Sequence, residues 1–120
     1  MAKIMIVDDS RTSRRILREI LTDAGFEVLE DATNGEEGYL KYQELKPDLV
    51  TMDITMPKMD GIEALQLIRK ADENAKVVMI TAAGQKDKMM QAIKYGASEF
   101  IAKPYDAKGV VESINKVLSE

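Results

Sequence analysis

Four points in the sequence carry residues able to do chemistry at regular places: Asp8-Asp9, Asp53, Thr81 and Lys103-Pro104. Each closes a short apolar stretch rich in branched residues, so each is predicted to stand where a β-strand ends. In a parallel α/β sheet, ligands bind beyond the carboxyl ends of the strands. Three carboxylates, one hydroxyl and one ammonium are therefore expected along one edge. Any one of these positions is accounted for by the polar residues that ordinarily end strands. Together they are harder to explain, because gathering three carboxylates costs several kcal/mol in desolvation and like-charge repulsion, and a single lysine cannot neutralise them. A hard divalent cation can. Oxygen donors without nitrogen or sulfur suit Mg²⁺, with Mn²⁺ as a substitute. A metal beside a carboxylate, a lysine and a threonine hydroxyl is apparatus for stabilising a transferring phosphoryl group. Asp53, followed by Ile54-Thr55-Met56-Pro57 and Asp60-Gly61, is the candidate nucleophile, with Lys103 balancing charge and Thr81 hydrogen-bonding the phosphate.

The elements that must position these groups follow from apolar spacing. Strands are predicted to start near positions 4, 27, 49, 77 and 99. Between and after them, apolar residues recur at helical spacing. The faces are Ile16, Leu17, Ile20, Leu21 and Ala24, then Tyr42 and Leu45, then Ile62, Leu65 and Ile68. Met90 and Ile93 are read as the inward face of the fourth helix, which leaves Met89 for a partner surface. Val110, Val111, Ile114, Val117 and Leu118 mark the fifth helix. Gly25 reads as a left-handed stop, while Asn34 with Glu37 and Asp60 with Glu63 have the spacing of helix caps. The charged stretch Glu27 to Glu30 predicts an edge strand, whereas the first, third and fourth strands read as buried. The fold class is thus α/β, five βα repeats forming a mostly parallel sheet covered on both faces. Met5, Met52 and Met79 belong to its core.

Composition narrows the function further. The chain has 120 residues, 17 basic and 21 acidic, a net charge of −4, and neither histidine nor cysteine. Serine–histidine and cysteine catalysis, zinc sites and disulfides are excluded. No apolar run approaches the ~20 residues of a membrane span, and the amino terminus lacks a secretory signal, so a cytoplasmic location is expected. Dispersed lysines on an acidic chain argue against nucleic-acid binding. The glycines fit neither a Walker A loop nor a dinucleotide fingerprint. One domain over 1–120 is expected, with no output domain, so that any output comes from its own surface.

In this order, Asp8-Asp9, Asp53, Thr81 and Lys103-Pro104 resemble the receiver domain of two-component response regulators, over the whole chain. The resemblance implies a flavodoxin-like (βα)5 fold with strand order 2-1-3-4-5, an order that spacing alone does not give. It implies that Asp53 accepts a phosphoryl group from a phosphohistidine on a sensor histidine kinase or a histidine phosphotransfer domain. Asp9, Asp53 and the backbone carbonyl of Thr55 would bind Mg²⁺ directly, and Asp8 through water. Thr81 and Lys103 would contact the phosphoryl group, and Phe100 would be the aromatic switch, in place of the tyrosine common in such proteins. A cis Lys103-Pro104 bond is implied as well.

Thr51 to Pro57 looks most like the stand-alone chemotaxis regulators. These are monomeric phosphoacceptors that take part in their own phosphorylation and dephosphorylation without being enzymes, and that act on a downstream protein such as a flagellar motor component. Tyr105 could flank that partner surface or simply cap its helix. The basic cluster Arg11, Arg14, Arg15 and Arg18 reads either as a solvated face or as a docking surface for the phosphodonor. Three other readings stand beside this one: a phosphorelay intermediate, a pseudo-receiver that is never phosphorylated, and a phosphohydrolase of the haloacid dehalogenase type. The last would need an aspartate where Thr55 stands.

Overall fold

Branched apolar residues in short runs, separated by capped amphipathic segments, leave the chain one economical solution, a parallel sheet between two helical layers. The computed structural model, which describes all 120 residues, has that form. In chain order the elements are β1 (Lys3–Val7), α1 (Arg11–Asp23), β2 (Glu27–Val28), α2 (Gly35–Leu45), β3 (Leu49–Asp53), α3 (Gly61–Ala71), β4 (Val77–Thr81), α4 (Lys86–Lys94), β5 (Glu99–Ala102) and α5 (Ala107–Leu118). All pairings are parallel and the order is β2-β1-β3-β4-β5. The two-residue β2 is an edge, and β3 and β4 are buried throughout.

Alternation along the strands divides the core in two. Met5, Val7, Val50, Met52, Val77 and Met79 face α2, α3 and α4. Ile4, Ile6, Leu49, Val78, Ile80 and Ile101 face α1 and α5. Each fully buried aliphatic side chain contributes roughly 1.5–3 kcal/mol. Four helices start at side-chain caps, with Asn34 and Asp60 as expected and Ser10 and Asp106 besides, each accepting a hydrogen bond from the backbone N–H three residues on. Gly25, at φ +92°, ends α1 in a conformation that glycine adopts without steric cost. The Lys103-Pro104 bond is cis.

The fourth helix departs from expectation. Ala92 is its one buried residue and Met89 is half-buried, whereas Met90 and Ile93 are 63% and 60% exposed. Two i, i+3 pairs of similar spacing compete on this nine-residue helix, and docking against α3 selects the one with the small residue. Ile16, read as core, likewise lies at the surface of α1.

Thr51 lies on β3 between Ile6 and Val78, on the α1/α5 side, and its buried Oγ1 has no hydrogen-bond partner. Thr51→Val removes that orphan group at nearly constant shape and is expected to stabilise the fold by about 1 kcal/mol. A higher denaturation midpoint with an unchanged m-value would bear this out; a lower midpoint would show that the hydroxyl is bonded in solution.

Candidate functional site

Asp8 extends the register of β1, Asp53 ends β3, and Lys103 follows β5, all with the side-chain parity of the α1/α5 face. The carboxylate oxygens of Asp8, Asp9 and Asp53 accordingly lie within 4.8 Å of one another. Lys103 Nζ stands 3.7 Å from Asp53 Oδ1. Thr81 ends β4 with the opposite parity, on the side of α3 and α4, and shares that face with Phe100, the partner of Met79 across the β4–β5 ladder. The expected groups thus converge on one edge, and Thr81 and Phe100 fall on the same side of the sheet. Phe100 is half-buried against the α2/α3/α4 core.

The backbone around these groups is held from several directions. Arg14 Nη1 donates to the Asp8 carbonyl at 2.7 Å, and its Nε lies 3.5 Å from Asp31. Arg18 also pairs with Asp31, whose carbonyl accepts from Lys41 at 2.6 Å. Of the basic cluster on α1, Arg14 therefore holds the β1 end and Arg18 the segment after β2, which neither reading of that cluster anticipated. Lys103 N–H donates to the Thr81 carbonyl at 2.7 Å. Gly61 closes the β3–α3 loop by donating to the Ile54 carbonyl at 2.7 Å. A Cβ there would fall 2.0 Å from the Asp53 carbonyl oxygen, so only glycine permits the approach.

Asp8 and Asp53 are only 4% and 9% exposed. Burial, reinforced by the charge of Asp8, pushes the Asp53 carboxyl up to about 6, against the pull of Lys103 and of the Ile54 N–H that donates to it at 3.0 Å. Burial also raises Asp8, although the Ser10 N–H donates to it at 2.8 Å. Tyr105 lies in the same field: burial and the charges of Asp8 and Asp53 push its phenol up. The donor set is all oxygen, anionic and under-neutralised by one ammonium, which fits a hard divalent cation and no softer metal.

One participant escaped the sequence reading. Gln85, at the head of α4, accepts from the Ala82 N–H at 2.6 Å through Oε1 and donates to Thr55 Oγ1 at 2.8 Å through Nε2. A glutamine just past Gly84 gives little local signal, because its partner is 30 residues away.

Residues 4–115 match the model of the response regulator receiver domain. The chain belongs to the response regulator receiver family. This receiver is 52% identical over 115 residues to a chemotaxis protein CheY of Thermotoga maritima, covering 96% of each chain. It is 49% identical over 117 residues to CheY of Bacillus subtilis, covering 98% of each. It superposes with a TM-score of 0.94 on a crystal structure of the CheX–CheY–BeF3–Mg²⁺ complex from Borrelia burgdorferi, at 40% identity, covering 99% of this chain and 90% of the other. Membership makes it a two-component signalling protein and not a classical enzyme. Receiver domains bind Mg²⁺ through acidic residues, and the aspartate cluster of this receiver has the matching chemistry. No helix is long and apolar enough to cross a membrane.

Because Asp53 binds its proton more tightly folded than unfolded, stability should rise as pH falls through about 6, the gain being complete below about 4. At pH 7.5 in metal-free buffer, Asp53→Asn is expected to be more stable than the native chain by about 2 kcal/mol. The advantage should narrow through pH 6 and disappear near pH 4. Denaturation curves at several pH values test this, and a constant difference would contradict it.

Proposed function

We propose that this receiver is a chemotaxis response regulator in which Asp53 accepts a phosphoryl group from a histidine kinase or histidine phosphotransfer domain. The observation that carries the reading is the convergence of the Asp8, Asp9 and Asp53 carboxylates on one edge with Lys103 at 3.7 Å. An Asp53 oxygen attacks phosphorus, the P–N bond of the phosphohistidine breaks, and its electron pair stays on the imidazole nitrogen. Asp9, Asp53 and the Thr55 carbonyl would hold Mg²⁺ directly and Asp8 through water, with Mn²⁺ as a substitute. The bound ion would offset the negative charge of the carboxylates and of the phosphoryl oxygens. Lys103 carries its ammonium to the same oxygens, and Thr81 offers them a hydroxyl donor. In this sense the chain takes part in its own phosphorylation and dephosphorylation.

Output follows from the shared parity of Thr81 and Phe100. Movement of Thr81 toward the phosphoryl group opens space on the α4 side into which Phe100 turns. That turn shifts a pre-existing equilibrium of the surface formed by α4, β5 and α5. Phenylalanine performs the packing change without the hydroxyl that a tyrosine would add. The exposed Met90 and Ile93 supply this surface with apolar area for a downstream protein such as a flagellar motor component. The chain acts as a cytoplasmic monomer with no nucleic-acid partner. The relatives at 52% and 49% identity, both chemotaxis proteins, support chemotaxis over a phosphorelay.

Incubation with Mg²⁺ and acetyl phosphate should add the mass of one phosphoryl group to the intact chain. The adduct should require the metal and be lost in Asp53→Asn; an equal adduct on that variant would remove Asp53 from the role. Lys103→Ala should melt within about 1 kcal/mol of the native chain, since its ion pair is partly solvated. It should also suppress the shift of Phe100 ring resonances that beryllofluoride causes in the native receiver. An undiminished shift would dismiss Lys103 as the coupling residue.

A further inference from the structure

The residue just before a helix often caps the helix's first free N–H groups with its side chain, but Gln85 makes no such bond at the head of α4. Its carboxamide is committed instead to two loops. Oε1 takes the N–H of Ala82, next to Thr81, and Nε2 donates to the hydroxyl of Thr55, two residues beyond Asp53. Asp53 and Ile80 are register partners on adjacent strands, so this bridge joins the two loops directly beyond the acceptor and the hydroxyl donor. No other side-chain hydrogen bond connects them.

Both bonds lie at the surface, where they add little to the stability of the fold. Their placement matters for access. Asp53 and Thr81 are almost closed off from solvent, whereas Thr55 is exposed and Gln85 half-exposed. A phosphodonor or an attacking water coming from the β3–β4 side must pass the loops that the carboxamide ties together. An amide whose oxygen and nitrogen are both engaged holds each loop in one position. Losing the Thr55 bond unties the two loops, and losing the Ala82 bond leaves the carboxamide held by Thr55 alone.

We propose that Gln85 is a clasp between the β3–α3 and β4–α4 loops, a positioning residue whose opening sets how fast Asp53 exchanges phosphoryl groups with small donors and with water. The proposal rests on the reading of Asp53 as the acceptor. A clasp closed in both states slows passage in both directions. Its removal therefore speeds labelling and hydrolysis together and leaves the plateau of phosphorylation unchanged. Loss of a group that took part in the chemistry would instead slow labelling, hydrolysis or both.

The test uses the full chain with Mg²⁺ and acetyl phosphate, in the native form, Gln85→Ala, Gln85→Met, Thr55→Val and the double variant Gln85→Ala/Thr55→Val. Labelling and decay of the adduct are both followed by intact mass. Each single variant is expected to raise both rates about fivefold, the effect of one lost hydrogen bond. The double variant should be no faster than either single one. Native rates in Gln85→Ala would overturn the clasp, and so would effects that multiply in the double variant. Gln85→Met keeps the bulk of the side chain without its amide, and native behaviour there would assign the effect to bulk and refute the hydrogen-bonded clasp. If the native chain takes no phosphoryl group, the acceptor reading fails and the clasp is judged separately by amide exchange. Ala82 N–H should exchange about fivefold faster in Gln85→Ala than in the native chain, and equal exchange would refute the clasp by itself.

Discussion

Two nearly buried carboxylates, Asp8 and Asp53, are brought together at the ends of β1 and β3 with a third, Asp9, beside them and one ammonium at 3.7 Å. Left alone, such groups repel, and each would sooner face water. They stay because the backbone beneath them cannot give way. Arg14 grips the Asp8 carbonyl, the Thr81 carbonyl holds the amide of Lys103, and Gly61 lets the β3–α3 loop close directly against Asp53. Burial and the neighbouring charge of Asp8 raise the affinity of Asp53 for its proton accordingly. A site built this way is short of positive charge, and that shortage suits it to a divalent cation and, in the proposed reading, to an incoming phosphoryl group that arrives with the cation.

The parts of this arrangement legible in the sequence are those in which a local pattern has only one structural outcome. An apolar branched run that ends in a polar or charged residue gives both the strand and the place where its chemistry emerges, which holds for Asp8, Asp53, Thr81 and Lys103. Charge within the run Glu27 to Glu30 likewise marks β2 as an edge, and Asn34 and Asp60 announce their helices by cap spacing. The strand order came from family resemblance, since parallel βα units of similar length permit several orders.

Where distant partners decide, local pattern is silent or misleading. Met90 and Ile93 have the spacing of a buried stripe, yet Met89 and Ala92 have it too, and the approach of α3 decides between them. Arg14 sits in a run of arginines whose obvious meaning is a solvated or docking face, while its bonds go to the end of β1 and to Asp31 beyond β2. Gln85 is a further case, its hydroxyl partner being supplied by a loop that the sheet alone brings near.

The anchoring of the elements is uneven, and this sets the direction in which any change at Asp53 can travel. Every residue of β3 and β4 is buried, and α3 buries Gly61, Ile62, Ala64, Leu65 and Ile68. Helix α4 buries Ala92 alone and begins without a side-chain cap. Apolar burial is what resists displacement, so α4 is the helix that moves at least cost. It is also attached directly to the loop that follows Thr81. A new charge on Asp53 cannot shift the strand that carries it, because β3 is locked between β1 and β4 on both sides. In the proposed reading the adjustment passes through Thr81 and its loop to α4. The receiver thus combines a rigid edge, where like charges are held close, with a loosely held helix beside it, and the transition between the two falls at Gln85.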